Sequence, residues 1–304
     1  MTSASTPARP LYALGLRLAA MMTMSLMFAA VKWLSERDVH FVEILFYRQL
    51  LALPVAVLFV LTGPGIASLR TRRIGAHFSR SVVGVTSMAL NFGAVIMLPL
   101  AEATTLGFTV PIFATIFATM FLGERPGVHR WLAVVMGFAG VIIIIGPGGH
   151  EGMSMVGVTV ALLGAVGASM VSLVLRQLGR TEPSAAIVFY FSFFSTPPLA
   201  VAMLFYGHGH DPLIWAVLIG MGVLGGLTQL LMTAALRWGP VSLVLPMDYS
   251  TLLWSTAIGW IMWNTLPGPW TWAGAAIIAA SSTYIAWRER IRQGQAVSRG
   301  VSIS

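Results

Sequence analysis

Apolar residues run through this chain in ten long blocks, near residues 11–34, 43–62, 76–98, 101–122, 130–146, 154–176, 184–206, 212–236, 240–262 and 270–288. Each stays hydrophobic for about 20 residues, the length of a helix that crosses a bilayer. Barrel strands would alternate apolar and polar every second residue. Backbone polar groups in lipid must bond within their own segment, which a helix achieves. The pattern predicts ten transmembrane helices joined by short loops. The first block ends Val31-Lys32-Trp33-Leu34, with no small-residue cleavage site, so an uncleaved first span is expected.

The polar positions between the blocks give an orientation. With the N-terminus inside, fifteen of the eighteen basic residues fall on the inner side: Arg9, Arg17, Arg70, Arg72, Arg73, Arg80, Arg125, Arg130, Arg176, Arg180, Arg237, Arg288, Arg290, Arg292 and Arg299. Only Lys32, Arg37 and Arg48 fall elsewhere. The excess of Lys and Arg in cytoplasmic segments makes both tails, 1–10 and 289–304, cytoplasmic, and it requires an even number of spans. The expected location is the bacterial inner membrane, crossed many times.

Composition agrees. The chain is 57% hydrophobic and 9% charged, against about 25% charged in a soluble domain, so lipid is the solvent for most of it. Ten spans leave no length for a soluble domain. The formal charge of +8 comes from arginines scattered at helix ends, which act on topology and anionic lipid rather than on nucleic acid. There is no cysteine, hence no disulfide and no thiolate metal site.

The chain also repeats. Pro126-Gly127-x3-Trp131 opens the fifth span, and Pro267-Gly268-x3-Trp272 opens the tenth, close to half the chain further on. Two halves of five helices, 11–146 and 154–288, would lie in the membrane with opposite orientation, because an odd number of spans inverts the second half. Such plans put the substrate at the interface of the halves near the bilayer midplane. Small residues at helical spacing, Gly157/Ala161, Gly164/Ala168 and Gly222/Gly226, suit close helix packing or helices that slide.

Enzyme motifs are missing. The one lysine, Lys32, follows no glycine-rich turn, and there is no His-Glu-x-x-His or Gly-x-Ser-x-Gly. No cofactor or metal is expected, and His208, His210 and Asp211 read as a solvated loop. Polar groups inside the spans carry more information, since each is costly in hydrocarbon. Asp248 lies roughly 12 Å into the ninth span at 1.5 Å per residue, between Pro246 and Tyr249. It is either a site for a substrate ammonium or proton, or the partner of Arg237 or another inner-side arginine. Asn91 in the third span and Gln229 in the eighth occupy similar positions in the two halves. They either join helices or face a shared cavity, with Ser87, Thr104 and Thr105 nearby. Trp254 lies mid-span, outside the interfacial belt, and with Tyr190 and Phe113 could line a pocket. Arg48, Glu43 and Glu102 cluster at the outer side as an ion pair or a gate, and Glu124, beside Arg125 and Arg130, as a clasp at the inner side.

The run Leu98-Pro99-Leu100-Ala101-Glu102-Ala103-Thr104-Thr105, then Pro111, then Leu122-Gly123-Glu124-Arg125-Pro126, resembles the EamA family of the drug/metabolite transporter superfamily. Phe46-Tyr47-Arg48 is similar to that family's second span. The second half departs, with Asn264-Thr265 where a repeat would place Gly-Glu. The resemblance implies an all-α integral membrane fold of two inverted five-helix repeats around a central cavity, the fifth and tenth helices peripheral and free to support a homodimer. It implies secondary transport of small metabolites, chiefly export of amino acids. Within it the chain looks similar to YddG-type amino-acid exporters, whose cargo includes aromatic amino acids, and import of S-adenosylmethionine or another small metabolite on the same fold is the alternative. On this reading Asn91, Gln229, Asp248, Tyr249 and Trp254 contact substrate, and Arg48, Glu102 and Glu124 gate or brace.

Overall fold

A computed structural model describes residues 10–122, 127–145, 154–179, 181–238 and 244–298. Among these the fold is all helix. The helices are α1 (Pro10–Ser35), α2 (Phe41–Thr62), α3 (Ile74–Met97), α4 (Leu100–Gly107), α5 (Val110–Leu122), α6 (Val128–Ile145), α7 (Met155–Leu178), α8 (Ser184–Tyr206), α9 (Pro212–Trp238), α10 (Ser250–Trp263) and α11 (Pro269–Ser298). Short 3-10 turns occupy Ile66–Leu69 and Leu245–Tyr249. Seven helical stretches among the described residues are long and apolar enough to cross a bilayer, and Trp131–Ile145 is a shorter apolar helix. Leu58, Leu132, Ile142, Leu204, Phe205 and Ile261 are exposed, as lipid-facing positions should be.

Two expected spans are broken. The fourth divides between α4 and α5 at Phe108 and Thr109, whose amides turn back to Thr105 and Leu106 at 3.1 Å. Pro111 has no N–H to give the preceding turn, so the helix cannot run through unbroken. In the ninth, the described residues pass from the 3-10 turn Leu245–Tyr249, which contains Pro246, into α10. The two breaks meet: the rings of Phe108 and Tyr249 pack edge-to-face at 4.9 Å. Asn264 ends α10 in the left-handed conformation, φ 52°, and its amide bonds back to the Trp260 carbonyl at 2.9 Å. Asparagine tolerates that conformation better than most residues, which accounts for its presence where a repeated Gly-Glu was sought.

The packing is reciprocal between the two sets of helices. α1 lies on α9 and α3 on α7; α2 lies on both α8 and α9, and α3 also on α8; α4 meets α10, and α6 pairs with α11. Individual contacts follow suit. Ser87 Oγ on α3 donates to the Gly164 carbonyl on α7 at 3.1 Å, and Thr23 and Thr228 hydroxyls on α1 and α9 bond at 2.9 Å. The offset that carries Pro126 onto Pro267 also carries Ser87 onto Thr228 and Thr23 onto Gly164. The small residues of α7 and α9 serve close approach. A Cβ on Gly157 would meet Leu98 at 2.9 Å, one on Gly222 Leu51 at 2.6 Å and one on Gly226 Val55 at 2.7 Å.

One apolar core sits at the end of the bundle away from the N-terminus, and a second adjoins it there and continues along α6 and α11 through Ala133, Val141, Ile278 and Ile285. Val31, Leu34, Val39, Ile44, Leu45 and Phe92 form one. Val95, Leu98, Leu100, Ala103 and Leu106 belong to the other. The opposite half of the bundle is opened by a cavity.

Candidate functional site

The cavity has a volume of about 1030 Å³, at the upper end of the range for small-molecule sites. Its wall comes from α1 at Arg17 through Phe28, α3 at Met88 through Val95, the α4–α5 break, α7 at Ala168 through Leu173, α9 at Gly225 through Met232, the Pro246–Tyr249 turn and α11. Met21, Met24, Met27, Met88 and Met232 give it an adaptable apolar lining. Ser172, towards the C-terminal end of α7, and Thr283 and Trp287 on α11 are exposed lining residues at the rim.

The sequence candidates divide on this surface. Asn91, Gln229, Asp248, Tyr249, Thr104 and Arg48 all line the cavity. Asn91 Nδ2 donates to the Ser87 carbonyl at 2.8 Å and the Gly164 carbonyl at 3.3 Å, so the amide both joins α3 to α7 and borders the cavity. Thr105 Oγ1 and Thr104 Oγ1 donate to carbonyls of their own helix. Trp254 is not among the lining residues, and its Nε1 is buried without a partner. Tyr190 instead donates its hydroxyl to the Leu69 carbonyl at 2.8 Å, and Phe113 packs on Phe138 at 5.6 Å. Glu124 lies outside the described residues.

Asp248 has a partner that no sequence pattern singled out. Arg17, in the second turn of α1, grips it with Nε at 2.5 Å and Nη2 at 2.6 Å. The Arg17 side chain is 4% exposed and that of Asp248 33%. Both residues border the cavity, and the carboxylate is the more exposed of the two. The side chain of Arg237, the partner first considered, lies outside those described. Thr251 Oγ1 adds a 2.5 Å bond to the Asp248 carbonyl, which steadies the turn.

The charges expected at the outer side pair differently from the Arg48–Glu102–Glu43 cluster. Fully buried Glu43 takes His210 Nε2 at 2.7 Å. Glu102 accepts from Thr271 Oγ1 at 3.4 Å. Arg48 donates to Gln49 Oε1 and lies 5.8 Å from the Phe191 ring centre. Arg80, counted among the inner-face arginines in the sequence, is buried inside the bundle.

Beyond Phe28 and Val95 the cavity stops. The apolar cores close that end, and polar contacts tie its rim. Lys32 Nζ donates to the carbonyls of Leu98 at 2.8 Å and Val95 at 3.3 Å, placing a cation on the negative end of the α3 dipole. Trp263 Nε1 donates to the Glu36 carboxylate at 2.8 Å, and His40 stacks on Tyr206 at 4.1 Å. A chamber open at one end and tied shut at the other has the geometry of a carrier caught with one side accessible.

The family model described as the EamA-like transporter family matches this chain twice, over residues 11–146 and 155–287. A riboflavin transporter of Vibrio cholerae is 31% identical over 224 residues, 72% of this chain and 73% of its own length. A pseudopaline exporter of Pseudomonas aeruginosa is 30% identical over 266 residues, 86% of this chain and 91% of its own. An S-adenosylmethionine uptake transporter of Rickettsia bellii is 25% identical over 262 residues, 85% of this chain and 88% of its own. None of these three is named for amino acids, so the likeness supports the family without singling out its amino-acid exporters.

Proposed function

The chain belongs to the EamA-like transporter family and is a multi-pass membrane transporter of small molecules, and from that premise we propose that it is a secondary carrier of the bacterial inner membrane that exports amino acids or similar small metabolites by alternating access. The observation that carries this reading is the cavity: it lies between the two halves, is mostly apolar with a few convergent polar groups, and is blind at one end. On the proposed topology of ten spans with both tails cytoplasmic, its open end faces the cytoplasm, where an exporter loads.

The halves are 11–146 and 154–288, related as inverted repeats. Three features support this. The helix pairs are reciprocal, the Pro126-to-Pro267 offset interchanges the Ser87–Gly164 and Thr23–Thr228 contacts, and the same offset carries Phe108 onto Tyr249, its own partner at the centre. Residues related by a two-fold axis touch each other only near that axis. Asn91, Gln229, Asp248 and Tyr249 are the proposed substrate contacts, and Trp254 supports from behind.

The Rickettsia relative favours a second reading, uptake of a metabolite such as S-adenosylmethionine on the same fold. Counterflow in proteoliposomes decides between them. Labelled aromatic amino acids, S-adenosylmethionine and riboflavin would be tested with and without a pH gradient. Trans-stimulated exchange of an amino acid that is lost in Asp248→Asn supports the first reading. Exchange of S-adenosylmethionine alone supports the second, and no exchange of any solute by folded protein rejects both.

A further inference from the structure

Two guanidinium groups lie inside the bundle with no carboxylate paired to either among the described residues. Arg48 on α2 is 6% exposed and Arg80 on α3 is 7% exposed. Both lie by the ring of Phe191 on α8, with Cζ 5.8 and 3.7 Å from its centre. Arg48 Nη1 bonds to the side-chain carbonyl of Gln49. Arg48 Nε, Gln49 Nε2, Arg80 Nε and Arg80 Nη1 are buried without partners. All four are donors.

The backbone is shaped to seat these groups. A Cβ on Gly84 would stand 2.8 Å from Phe191 Cε2 and 3.0 Å from Arg80 Nη1, and one on Gly225 would stand 3.2 Å from Arg48 Nε. The repeat offset carries Gly84 onto Gly225, so each half clears space for one guanidinium at the corresponding place. Buried Arg17, Glu43 and His77 each have a partner: Arg17 holds Asp248, Glu43 takes His210, and Glu182 faces His77 at 3.4 Å. Two like charges in a low-dielectric interior repel, and each has lost its hydration. Ring contacts hold the guanidiniums by cation–π attraction but do not neutralise them. An anion does both, and a guanidinium edge fits a carboxylate or phosphate with paired hydrogen bonds.

We infer that Arg48, in the wall at the blind end of the cavity, and Arg80 behind it form an anion-binding station for the carboxylate or phosphate group of the cargo. This rests on the carrier reading and narrows its substrate class to solutes that bear such a group. The Arg17–Asp248 pair supplies no net charge, so the deep cavity is electropositive until the anion arrives. Arg48 contacts the anion, and Arg80 raises the potential and orients the Phe191 platform.

The test uses the purified full-length protein in detergent, with melting temperature read against L-phenylalanine, phenylalaninamide (same ring and amine, no carboxylate), succinate and inorganic phosphate at constant ionic strength. Acid-bearing probes should raise it saturably, and phenylalaninamide should need at least about 10-fold higher concentration. Arg48→Gln should weaken the acid probes by about 10-fold or more and erase the preference over the amide, with Arg48→Lys intermediate. Arg80→Gln should weaken the same probes less. The anion-free melting temperature of Arg48→Gln should hold or rise, which loss of a merely structural arginine would not give. Equal response to phenylalanine and its amide in the native protein overturns the inference without any variant. So does a lack of response to every acid probe, or a preference that survives both Arg→Gln changes. Proteoliposomes separate this from the carrier reading. If phenylalanine and its amide exchange equally well, the carrier stands and the anion station falls; if nothing exchanges while arginine-dependent anion binding persists, the reverse holds.

Discussion

Neutralising Asp248 should destabilise the protein more than removing the arginine that holds it. In Asp248→Asn the side-chain shape is kept but the Arg17 guanidinium, 4% exposed, becomes an uncompensated charge. Breaking a buried pair in this way costs about 3–5 kcal/mol. Arg17→Met leaves behind a carboxylate that is 33% exposed to the cavity, where water can solvate it, and the cost falls to about 1–2 kcal/mol. The double variant removes both charges together and should lie within about 1 kcal/mol of the native protein, giving a coupling of about 3 kcal/mol or more in the cycle. Thermal unfolding in detergent, followed through the ten tryptophans, is the assay. At roughly 2–4 °C per kcal/mol, Asp248→Asn should melt on the order of 10 °C low, Arg17→Met a few degrees low, and the double variant near the native value. Additive single effects would refute the pairing as a stabilising unit. An Arg17→Met protein weaker than Asp248→Asn would refute the assignment of the buried partner.

Gly274→Ala should wedge α6 from α11, because the added Cβ would stand 2.4 Å from Ile144 Cγ1 and 2.5 Å from the Gly140 carbonyl. Overpacking of this kind costs about 1–3 kcal/mol, read as a lower melting temperature with counterflow per folded molecule retained if those helices are peripheral. The chain contains no cysteine, so Met88→Cys, deep in the cavity wall, reports access on a clean background. An impermeant maleimide should label it in inside-out vesicles and leave it unlabelled in right-side-out ones; the opposite result would reverse the proposed orientation.

Much of the helical architecture is legible in the sequence because the solvent imposes it. A stretch such as Phe41–Thr62 has one stable state in lipid, whatever its neighbours. The break in the fourth span is signalled by Pro111 and that near Asp248 by Pro246, yet the sequence blocks run straight through both, since hydropathy averages over a single distorted turn. An inner-side arginine as partner of Asp248 was legible as one of two alternatives, but not which arginine. Arg17 precedes Asp248 by 231 residues and, near the start of α1, looks like an orientation signal. Only the packing of α1 against the ninth span makes it a ligand for the carboxylate. Arg80 was hidden by the same logic, as one more arginine beyond Arg70, Arg72 and Arg73, although its position within α3 buries it. Asn91 and Gln229 could be selected because an amide in hydrocarbon is rare. Trp254 could not be sorted, because an aromatic in a span has no polarity to tell cavity from packing.

On the proposed inverted repeat, the two end states are unequal. The closed end, outer on the proposed topology, is tied by Lys32 to the α3 terminus, by Glu36 to Trp263 and by Glu43 to His210. Moving Lys32, Glu36 and Glu43 by the repeat offset, to the positions that would shut the inner end after the halves exchange roles, gives Leu173, Gln177 and Ser184. None of these three is ionic, so an outward-open state cannot rebuild the same ties. At about 1 kcal/mol per tie, the inward-open state is favoured by about 3 kcal/mol, or roughly 100-fold in population. A carrier with that bias returns to the loading side by default and needs cargo or an ion gradient to leave it. Replacing Lys32 by Met, Trp263 by Phe and Glu43 by Gln should therefore raise labelling of Met88→Cys from the outer face by one to two orders of magnitude in rate. Counterflow should then be limited by the opposite half-cycle. Outer labelling that stays at the native rate in a folded triple variant would mean that the apolar cores alone set the balance, and that the polar ties at the rim follow the closure rather than drive it.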